Sequence, residues 1–214
     1  GVSDELWARY ETYYERQAYE GAFDGPRLLA AMSRRSEYRA SACLYLAQRD
    51  HLVGRGLHFF PGIAHEDNLF TFALLMDAER VAHSPVALYG RRVRPDSIVT
   101  AGSRASAARG YFVTWIEMVR LLHGRDFGDP EVTSQVATVV QSILTATRRN
   151  LSRLPSEEID RLAAIDGYAD AAALHLVVRR SWSDDRARRR LDRQLKTARA
   201  AQLAAPPAAE PVAE

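Results

Sequence analysis

The feature that most constrains the fold is an apolar segment near the middle of the chain, Leu69-Phe70-Thr71-Phe72-Ala73-Leu74-Leu75-Met76. It follows His65-Glu66-Asp67-Asn68, and an acidic pair is typical of the first turn of a helix because carboxylates complement the positive end of the helix dipole. A helix over residues 66–76 would carry apolar side chains on nearly every side. Such a helix belongs in a core rather than on a surface. The sequence therefore predicts a buried helix with Glu66 and Asp67 at its start.

The rest of the pattern is mainly helical. Apolar spacing, together with capping residues, prolines and glycines, predicts further helices that begin near residues 4, 26, 48, 103, 129, 156, 169 and 183. The first of these is expected to extend to residue 19. Short strands are predicted over residues 41–47, 81–82 and 87–89. The fold class expected from these elements is α+β and mainly helical.

Composition limits the class of protein. A chain of 214 residues with 47% hydrophobic and 26% charged residues can bury the core of a globular domain. Its net charge of +2 gives no reason to expect a nucleic-acid partner. Cys43 is the only cysteine, which excludes an intrachain disulfide and a cysteine-based metal site. A reducing, cytoplasmic location is the natural expectation, and no apolar run approaches the roughly twenty residues that span a bilayer.

Two groups of polar residues each allow a functional and a structural interpretation. Glu66 and Asp67 can act as a general base with its orienting group, or can serve only as a favourable helix start, which local sequence favours. The arginines of the segment that follows can hold a diphosphate through forked hydrogen bonds, or can form a solvated basic loop. Those residues are Arg91, Arg92 and Arg94, with Ser97. Both interpretations stay open for them at this point.

The histidines and the C-terminal basic helix give weaker indications. His58, His65 and His83 do not have the spacing of a His-Glu-x-x-His zinc site, so no metal site is predicted from them. The helix after residue 183 is basic but has a thin apolar face. A solvated helix is the default for it, and weak contact with an anionic membrane surface is the second interpretation. The final residues, 205–214, are rich in alanine and proline and are predicted to be a disordered tail.

The central stretch resembles the C-terminal half of family 2 glycosyltransferases, inverting enzymes with a GT-A fold that often build cell-surface polysaccharides. The resemblance lies in three pieces, Phe60-Pro61-Gly62-Ile63-Ala64-His65-Glu66-Asp67-Asn68-Leu69-Phe70-Thr71-Phe72, Ala78-Glu79-Arg80-Val81-Ala82-His83 and Leu88-Tyr89-Gly90-Arg91-Arg92-Val93-Arg94-Pro95-Asp96-Ser97-Ile98. Upstream, Tyr45-Leu46-Ala47-Gln48-Arg49-Asp50-His51-Leu52 resembles the strand and helix that precede the motif in that family. The match covers residues 38–100 in the right order and spacing.

The resemblance implies a role for each matching residue. Asp67 would be the base that deprotonates the acceptor hydroxyl, and Glu66 would orient the acceptor or the base. The residues implied to bind substrate are His65, Arg91, Arg92, Arg94 and Ser97, with Arg94 and Ser97 near the donor diphosphate. The expected substrates are a nucleotide-sugar donor and a saccharide or lipid-linked acceptor, with no nucleic acid. Acceptors of that kind imply a cytoplasmic protein at the inner face of the plasma membrane, in peripheral contact with it.

The chain also departs from the family. A divalent metal, Mg²⁺ or Mn²⁺, is implied for the full-length enzyme, but the Asp-x-Asp motif that would bind it is absent from these 214 residues. We therefore expect residues 1–101 to be the acceptor-side, C-terminal part of a GT-A catalytic domain that lacks its nucleotide-binding half. Residues 102–204 are expected to form a helical region, and this chain alone is expected to transfer no sugar. The alternatives are a non-catalytic helical interaction module and an inactive truncated homologue.

Overall fold

A computed structural model of the chain describes residues 13–90, 103–155 and 157–158. The chain divides into two units, Gly1–Leu154 and Pro155–Glu214, and nearly all the described residues belong to the first. Within them the fold is mainly helical, with five α-helices and one small sheet of two antiparallel strands. The helices are α1 (Gly25–Arg34), α2 (Arg49–Gly54), α3 (Glu66–Asp77), α4 (Arg104–Leu122) and α5 (Pro130–Leu151).

The sheet joins two distant parts of the chain. Strand β1 is Ala22–Phe23 and strand β2 is Val81–Ala82, paired with Ala22 opposite Ala82 and Phe23 opposite Val81. In the chain, β1 directly precedes α1 and β2 follows α3, and both helices contribute to the core. The pairing therefore holds the start of α1 beside the end of α3, where the Gly25 amide also donates to the Ala78 carbonyl at 2.8 Å.

The hydrophobic core is formed between α1, α3, α4 and α5. Phe72 of α3 and Leu29 of α1 are fully buried at its centre, and Met118 of α4 and Val136 of α5 lie against them. Helix α3 is buried along its whole second half, from Phe70 to Met76. The core therefore includes both the segment that contains the Glu-Asp pair and the two long helices that follow it.

Capping residues explain where the long helices begin. Asp129 accepts hydrogen bonds from the amides of Glu131 and Val132, at 2.9 and 3.4 Å, and Pro130 occupies the first turn of α5. Asp24 caps α1 in the same way, accepting from the Arg27 amide at 2.8 Å. Carboxylates at these positions satisfy amides that no helical carbonyl can reach. The predicted starts near residues 26, 48, 103 and 129, and the buried helix from Glu66, are confirmed.

Two predicted strands are absent from the structure. Residues 41–47 do not form a buried strand; the segment contains a short 3-10 turn, Ala42–Leu44, and the Leu46 side chain is 98% exposed. Residues 87–89 are not a strand either, and Leu88 is exposed. In both places the part of the chain that the structure describes offers the apolar run no strand with which to pair.

The predicted N-terminal helix does not extend to residue 19. Its first part lies outside the described residues, and residues 13–20 form a turn followed by irregular chain. The reason is that side chains take the place of helical carbonyls as acceptors. The Gln17 amide donates to a Glu37 carboxylate oxygen at 3.2 Å, and the Tyr19 amide donates to His83 Nδ1 at 3.4 Å. These contacts fix the segment in an extended path.

The part of the chain that the structure describes shows no GT-A core, since its only sheet has two short antiparallel strands. None of the helices described there is both long and apolar enough to cross a membrane. The helices predicted near residues 156, 169 and 183 and the tail over residues 205–214 lie outside the described residues, apart from Glu157 and Glu158.

Candidate functional site

The site is built on an unusual helix start. His65 is the N-terminal cap of α3 and adopts the left-handed conformation, with φ 64° and ψ 33°, and its side chain makes no capping hydrogen bond. A left-handed backbone at a residue with a Cβ costs about 1 kcal/mol or more, and such outliers cluster at functional sites. The His65 ring is held from outside the helix. It stacks on the ring of Tyr111 in α4, with centroids 4.3 Å apart and planes within 14° of parallel.

Helix α4 approaches this loop closely. Gly110 is buried, and a Cβ atom at this position would collide with the carbonyl of Ala64. Only glycine therefore allows α4 to pass so near the residue that precedes His65. The loop is held on its other side by Phe59, whose ring stacks on Phe70 of α3 at 4.2 Å.

Asn68 orients the Asp67 carboxylate. Its side-chain amide donates to Asp67 Oδ1 at 3.0 Å and also to the His65 carbonyl at 3.2 Å. The Asn68 backbone amide donates to the same carbonyl at 3.1 Å. Asp67 therefore has one oxygen that accepts from Asn68, while no hydrogen bond of the described residues is formed to its other oxygen.

The environment of Asp67 favours its protonated form. Burial raises the pKa of this carboxyl above its ordinary value, and the neighbouring Glu66 charge raises it further. His65 and the hydrogen bonds from Asn68 act in the opposite direction but are weaker. A half-buried carboxylate with a raised pKa accepts a proton more readily than an exposed one, which is the property that a general base needs near neutral pH.

The charge of this carboxylate acts on three phenol side chains. Tyr38, Tyr45 and Tyr111 each have a raised pKa, first because of burial and in part because of the negative charge on Asp67. The hydroxyl oxygens of the first two differ in their partners. Tyr45 shares a 3.0 Å hydrogen bond with Thr71 Oγ1, and Thr71 donates to the Ala40 carbonyl at 2.6 Å. The Tyr38 hydroxyl is buried and has no hydrogen-bond partner among the described residues. A buried hydroxyl without a partner is costly to maintain.

The structure brings together only part of the predicted site. His65, Glu66 and Asp67 are adjacent and half-buried at the start of α3. The predicted diphosphate-binding residues lie outside the described residues, and their relation to Asp67 stays a prediction; they are Arg91, Arg92, Arg94 and Ser97. His83 is part of a different cluster, in which Nδ1 accepts the Tyr19 amide.

The metal implied by the resemblance does not fit the residues present. No Asp-x-Asp occurs in the sequence. Among the described residues, no group of three or more His, Cys, Asp or Glu side chains could hold a metal ion. Glu66 and Asp67 alone offer too few ligands for Mg²⁺ or Mn²⁺, whose octahedral sites need more oxygen donors. We therefore assign no step of any reaction to a metal bound by these residues.

Sequence reasoning missed the aromatic surroundings of Asp67. Tyr38 lies in an irregular segment and the pattern around Tyr45 predicts a strand, so neither residue carries a sequence signal for the site. Tyr111 could have been noticed, because an isolated glycine within a helical pattern often marks close packing, and Gly110 is its neighbour.

No protein-family model, curated protein or solved structure compared with this chain matches it. The resemblance to family 2 glycosyltransferases therefore stays a prediction from the residues of the central stretch.

Proposed function

We propose that the Glu66–Asp67 site is the acceptor side of an inverting glycosyltransferase, which transfers a sugar from a nucleotide-diphosphate donor to a saccharide or lipid-linked acceptor. The observation that carries this proposal is the state of Asp67. It is a half-buried carboxylate, bonded to Asn68 through one oxygen and raised in pKa by burial. This favours a base over a simple helix start, since a carboxylate that serves only the helix dipole gains nothing from burial.

The proposed step balances without a covalent enzyme intermediate. The acceptor hydroxyl gives its proton to Asp67 while its oxygen forms a bond to the anomeric carbon. The bond between that carbon and the donor diphosphate breaks, and the nucleotide diphosphate leaves with the electron pair. Attack from the face opposite the leaving group inverts the anomeric configuration. Positive charge near the diphosphate would stabilise the departing group, and this is the role proposed for Arg94, with Arg91, Arg92 and Ser97 beside it.

The backbone at the motif supports a functional rather than a purely structural role. Ser, Thr, Asp and Asn are the residues that stabilise a helix start at the N-terminal cap, and Asp129 and Asp24 have this role in α5 and α1. His65 instead adopts a strained conformation and provides no capping hydrogen bond. The caps of the other four described helices have extended backbone, so the left-handed cap of α3 departs from the pattern at the point where the proposed chemistry occurs.

The proposal has consequences for the rest of the protein. In its natural context this chain would be the C-terminal, acceptor-side part of a GT-A enzyme that uses Mg²⁺ or Mn²⁺ held by residues not in this sequence. Residues 1–214 alone would then transfer no sugar. The enzyme would act in the cytoplasm at the inner face of the plasma membrane, where lipid-linked acceptors of cell-surface polysaccharides are found.

The test is a transfer assay on the protein isolated at its native length. Release of nucleoside diphosphate from a panel of nucleotide sugars is measured with lipid-linked and saccharide acceptors, and the product anomer is read by NMR. We expect inversion in the wild type and a loss of about 10²–10⁴-fold in turnover for Asp67→Asn. Glu66→Gln should reduce turnover less, since Glu66 orients rather than accepts the proton.

Asp50→Asn is the matched control. Asp50 is also an acidic residue in the first turn of a helix, α2, but it is exposed. Its replacement should leave turnover unchanged. Equal activity of wild type and Asp67→Asn would refute the proposal, and absence of transfer with every donor would favour a helical interaction module or an inactive homologue.

A further inference from the structure

Helix α4 does more than fill the core, because it contacts the two residues that precede Glu66. Gly110 lies against the Ala64 carbonyl, and the next residue, Tyr111, stacks on the His65 ring. Ala64 and His65 are the last two residues before α3 begins. Consecutive residues of one helix therefore hold consecutive residues of the loop that directs Glu66 and Asp67.

The left-handed backbone of His65 needs such support. With φ 64° and no capping hydrogen bond, this residue lacks the local interactions that usually fix a helix start. Residues in sparsely populated backbone regions persist only where the surroundings determine them. A ring stack at 4.3 Å, nearly parallel, supplies that constraint from α4.

We propose that Tyr111 is a positioning residue that sets the direction of the Asp67 carboxylate through the His65 stack, and that Gly110 permits the approach of α4 that makes the stack possible. This inference rests on the proposed function only for its effect on catalysis. The structural part, in which Tyr111 controls the surroundings of Asp67, can be measured without any substrate.

The phenol hydroxyl and the ring of Tyr111 have separable effects. The hydroxyl lies within the electrostatic field of Asp67, with Arg149 of α5 and Tyr13 also nearby. The ring alone makes the stack on His65. Tyr111→Phe removes the hydroxyl and keeps the ring, whereas Tyr111→Leu removes the stack and keeps an apolar side chain of similar burial. The pair of variants distinguishes positioning by the stack from a direct hydroxyl effect.

The first measurement is an NMR titration of the 214-residue chain, with the Asp67 carboxyl carbon and the His65 ring followed against pH. We expect Tyr111→Leu to change the Asp67 titration midpoint and to shift the His65 ring signals. Tyr111→Phe should keep the His65 signals near their wild-type positions. Glu66, Tyr38 and Tyr45 also act on or near Asp67 and are unchanged in both variants.

His65→Gly provides a second route if Tyr111→Leu fails to fold. Glycine adopts the left-handed conformation without strain and removes the ring, so the helix start is preserved while the stack is lost. His65→Gly also removes the effect of the His65 ring itself, which lowers the Asp67 pKa, so its Asp67 titration serves as the reference for the double variant. Adding Tyr111→Leu to His65→Gly should then have little further effect, because two residues that act through one contact are not additive.

The native-length protein gives the catalytic readout. Tyr111→Leu should lower kcat by about 10–100-fold with little change in KM, as expected for misplacement of a reacting group. Tyr111→Phe keeps the ring stack and should retain most of the wild-type kcat. An Asp67 titration identical in wild type and Tyr111→Leu, or an effect of Tyr111→Leu that is equally large in the His65→Gly background, would overturn the inference. A changed titration in the 214-residue chain, together with no transfer by the native-length protein, would leave the positioning role intact and refute the proposed function instead.

Discussion

Asn68 donates a hydrogen bond to the Asp67 carboxylate at 3.0 Å while the same side-chain amide donates to the His65 carbonyl at 3.2 Å. One amide therefore ties the proposed base to the strained residue that begins its helix. The bond restricts the rotation of the carboxylate, yet it does not offset burial, because the pKa of Asp67 is still raised. The ionised Asp67 carboxylate therefore lowers the free energy of unfolding at neutral pH, and this can be tested by substitution.

Asp67→Asn should stabilise the folded protein at neutral pH. Burial disfavours the ionised carboxylate in the folded state, and asparagine keeps the shape and the acceptor for Asn68 without the charge. The raised folded pKa means that the folded chain binds a proton before the unfolded chain does as the pH falls. The wild type should therefore gain stability relative to Asp67→Asn as the pH falls through the folded pKa towards 3.8, the ordinary value. Urea midpoints of both proteins against pH measure this.

Asp50→Asn serves as the comparison for the stability effect. Asp50 is exposed in the first turn of α2, so its charge should help the helix dipole, and its removal should destabilise by about 0.3–1 kcal/mol. The two substitutions should thus have opposite signs at neutral pH. Destabilisation by Asp67→Asn of the same size would mean that Asp67 is an ordinary helix-start carboxylate.

Gly25→Ala should destabilise the protein markedly. A Cβ at Gly25 would overlap the Leu75 carbonyl, so α1 and α3 would have to separate where their ends meet. Forcing added atoms into a packed core costs about 1–3 kcal/mol. Gly54→Ala is the matched control, because Gly54 ends α2 with no atom near its Cβ position, and alanine there should be neutral or stabilising by up to about 1 kcal/mol. Equal urea midpoints for the two variants would contradict the close approach.

The sequence predicted correctly those elements whose capping residues and apolar pattern lie within the element itself. The Asp129-Pro130-Glu131 start of α5 and the apolar run of α3 need no knowledge of the rest of the chain. The failures depend on distant partners. The segment before Gly21 is extended because Glu37 and His83 accept its amides, and no feature of that segment indicates this.

The candidate site divides in the same way. Glu66 and Asp67 could be identified from the motif and placed correctly at a helix start. Burial raises the pKa of Asp67, and the three tyrosines whose own pKa values its charge raises lie on separate segments of the chain; they are Tyr38, Tyr45 and Tyr111. A sequence pattern gives the order of groups along the chain, but the desolvation of a carboxylate depends on what packs over it.

The contact between Tyr19 and His83 should make stability sensitive to mild acid. The Tyr19 amide donates to His83 Nδ1 at 3.4 Å, so this nitrogen must be unprotonated. Burial, and then the charge of Arg16, lower the pKa of His83 below 6.5, while Glu37 opposes them weakly. The unfolded chain therefore binds a proton first as the pH falls, and the folded state loses stability from about that value downwards. His83→Gln keeps an acceptor that does not titrate.

The difference between the urea midpoints of wild type and His83→Gln should therefore be constant above the ordinary histidine pKa of 6.5, and below it the wild type should lose stability relative to the variant. The carboxylates that titrate at lower pH are the same in both proteins, so the difference between them isolates His83. A constant difference across this range would show that the Tyr19 contact does not depend on the protonation of His83.

Arg125 should contribute to the stability of the described part of the chain, because it closes the C-terminal end of α3. Its guanidinium donates to the Met76 carbonyl at 2.9 Å, to Asp77 at 2.6 Å and to the Leu121 carbonyl at 2.9 Å. A planar fork is needed to reach all three, so Arg125→Lys should recover little of the loss. We expect both Arg125→Ala and Arg125→Lys to lower the free energy of unfolding by about 1–2 kcal/mol.

Arg55→Ala is the control for Arg125. Arg55 pairs with Glu79 at 3.4 Å, but the two side chains are 49% and 88% exposed, against 33% and 21% for Arg125 and Asp77. An exposed pair of this kind contributes at most about 0.5 kcal/mol and is screened by salt. Carbonyl acceptors carry no net charge, so much of the Arg125 contribution should remain in high salt. If Arg125→Ala and Arg55→Ala gave equal urea midpoints, or if salt abolished the effect of Arg125→Ala, the bonds to the helix carbonyls would not be stabilising α3.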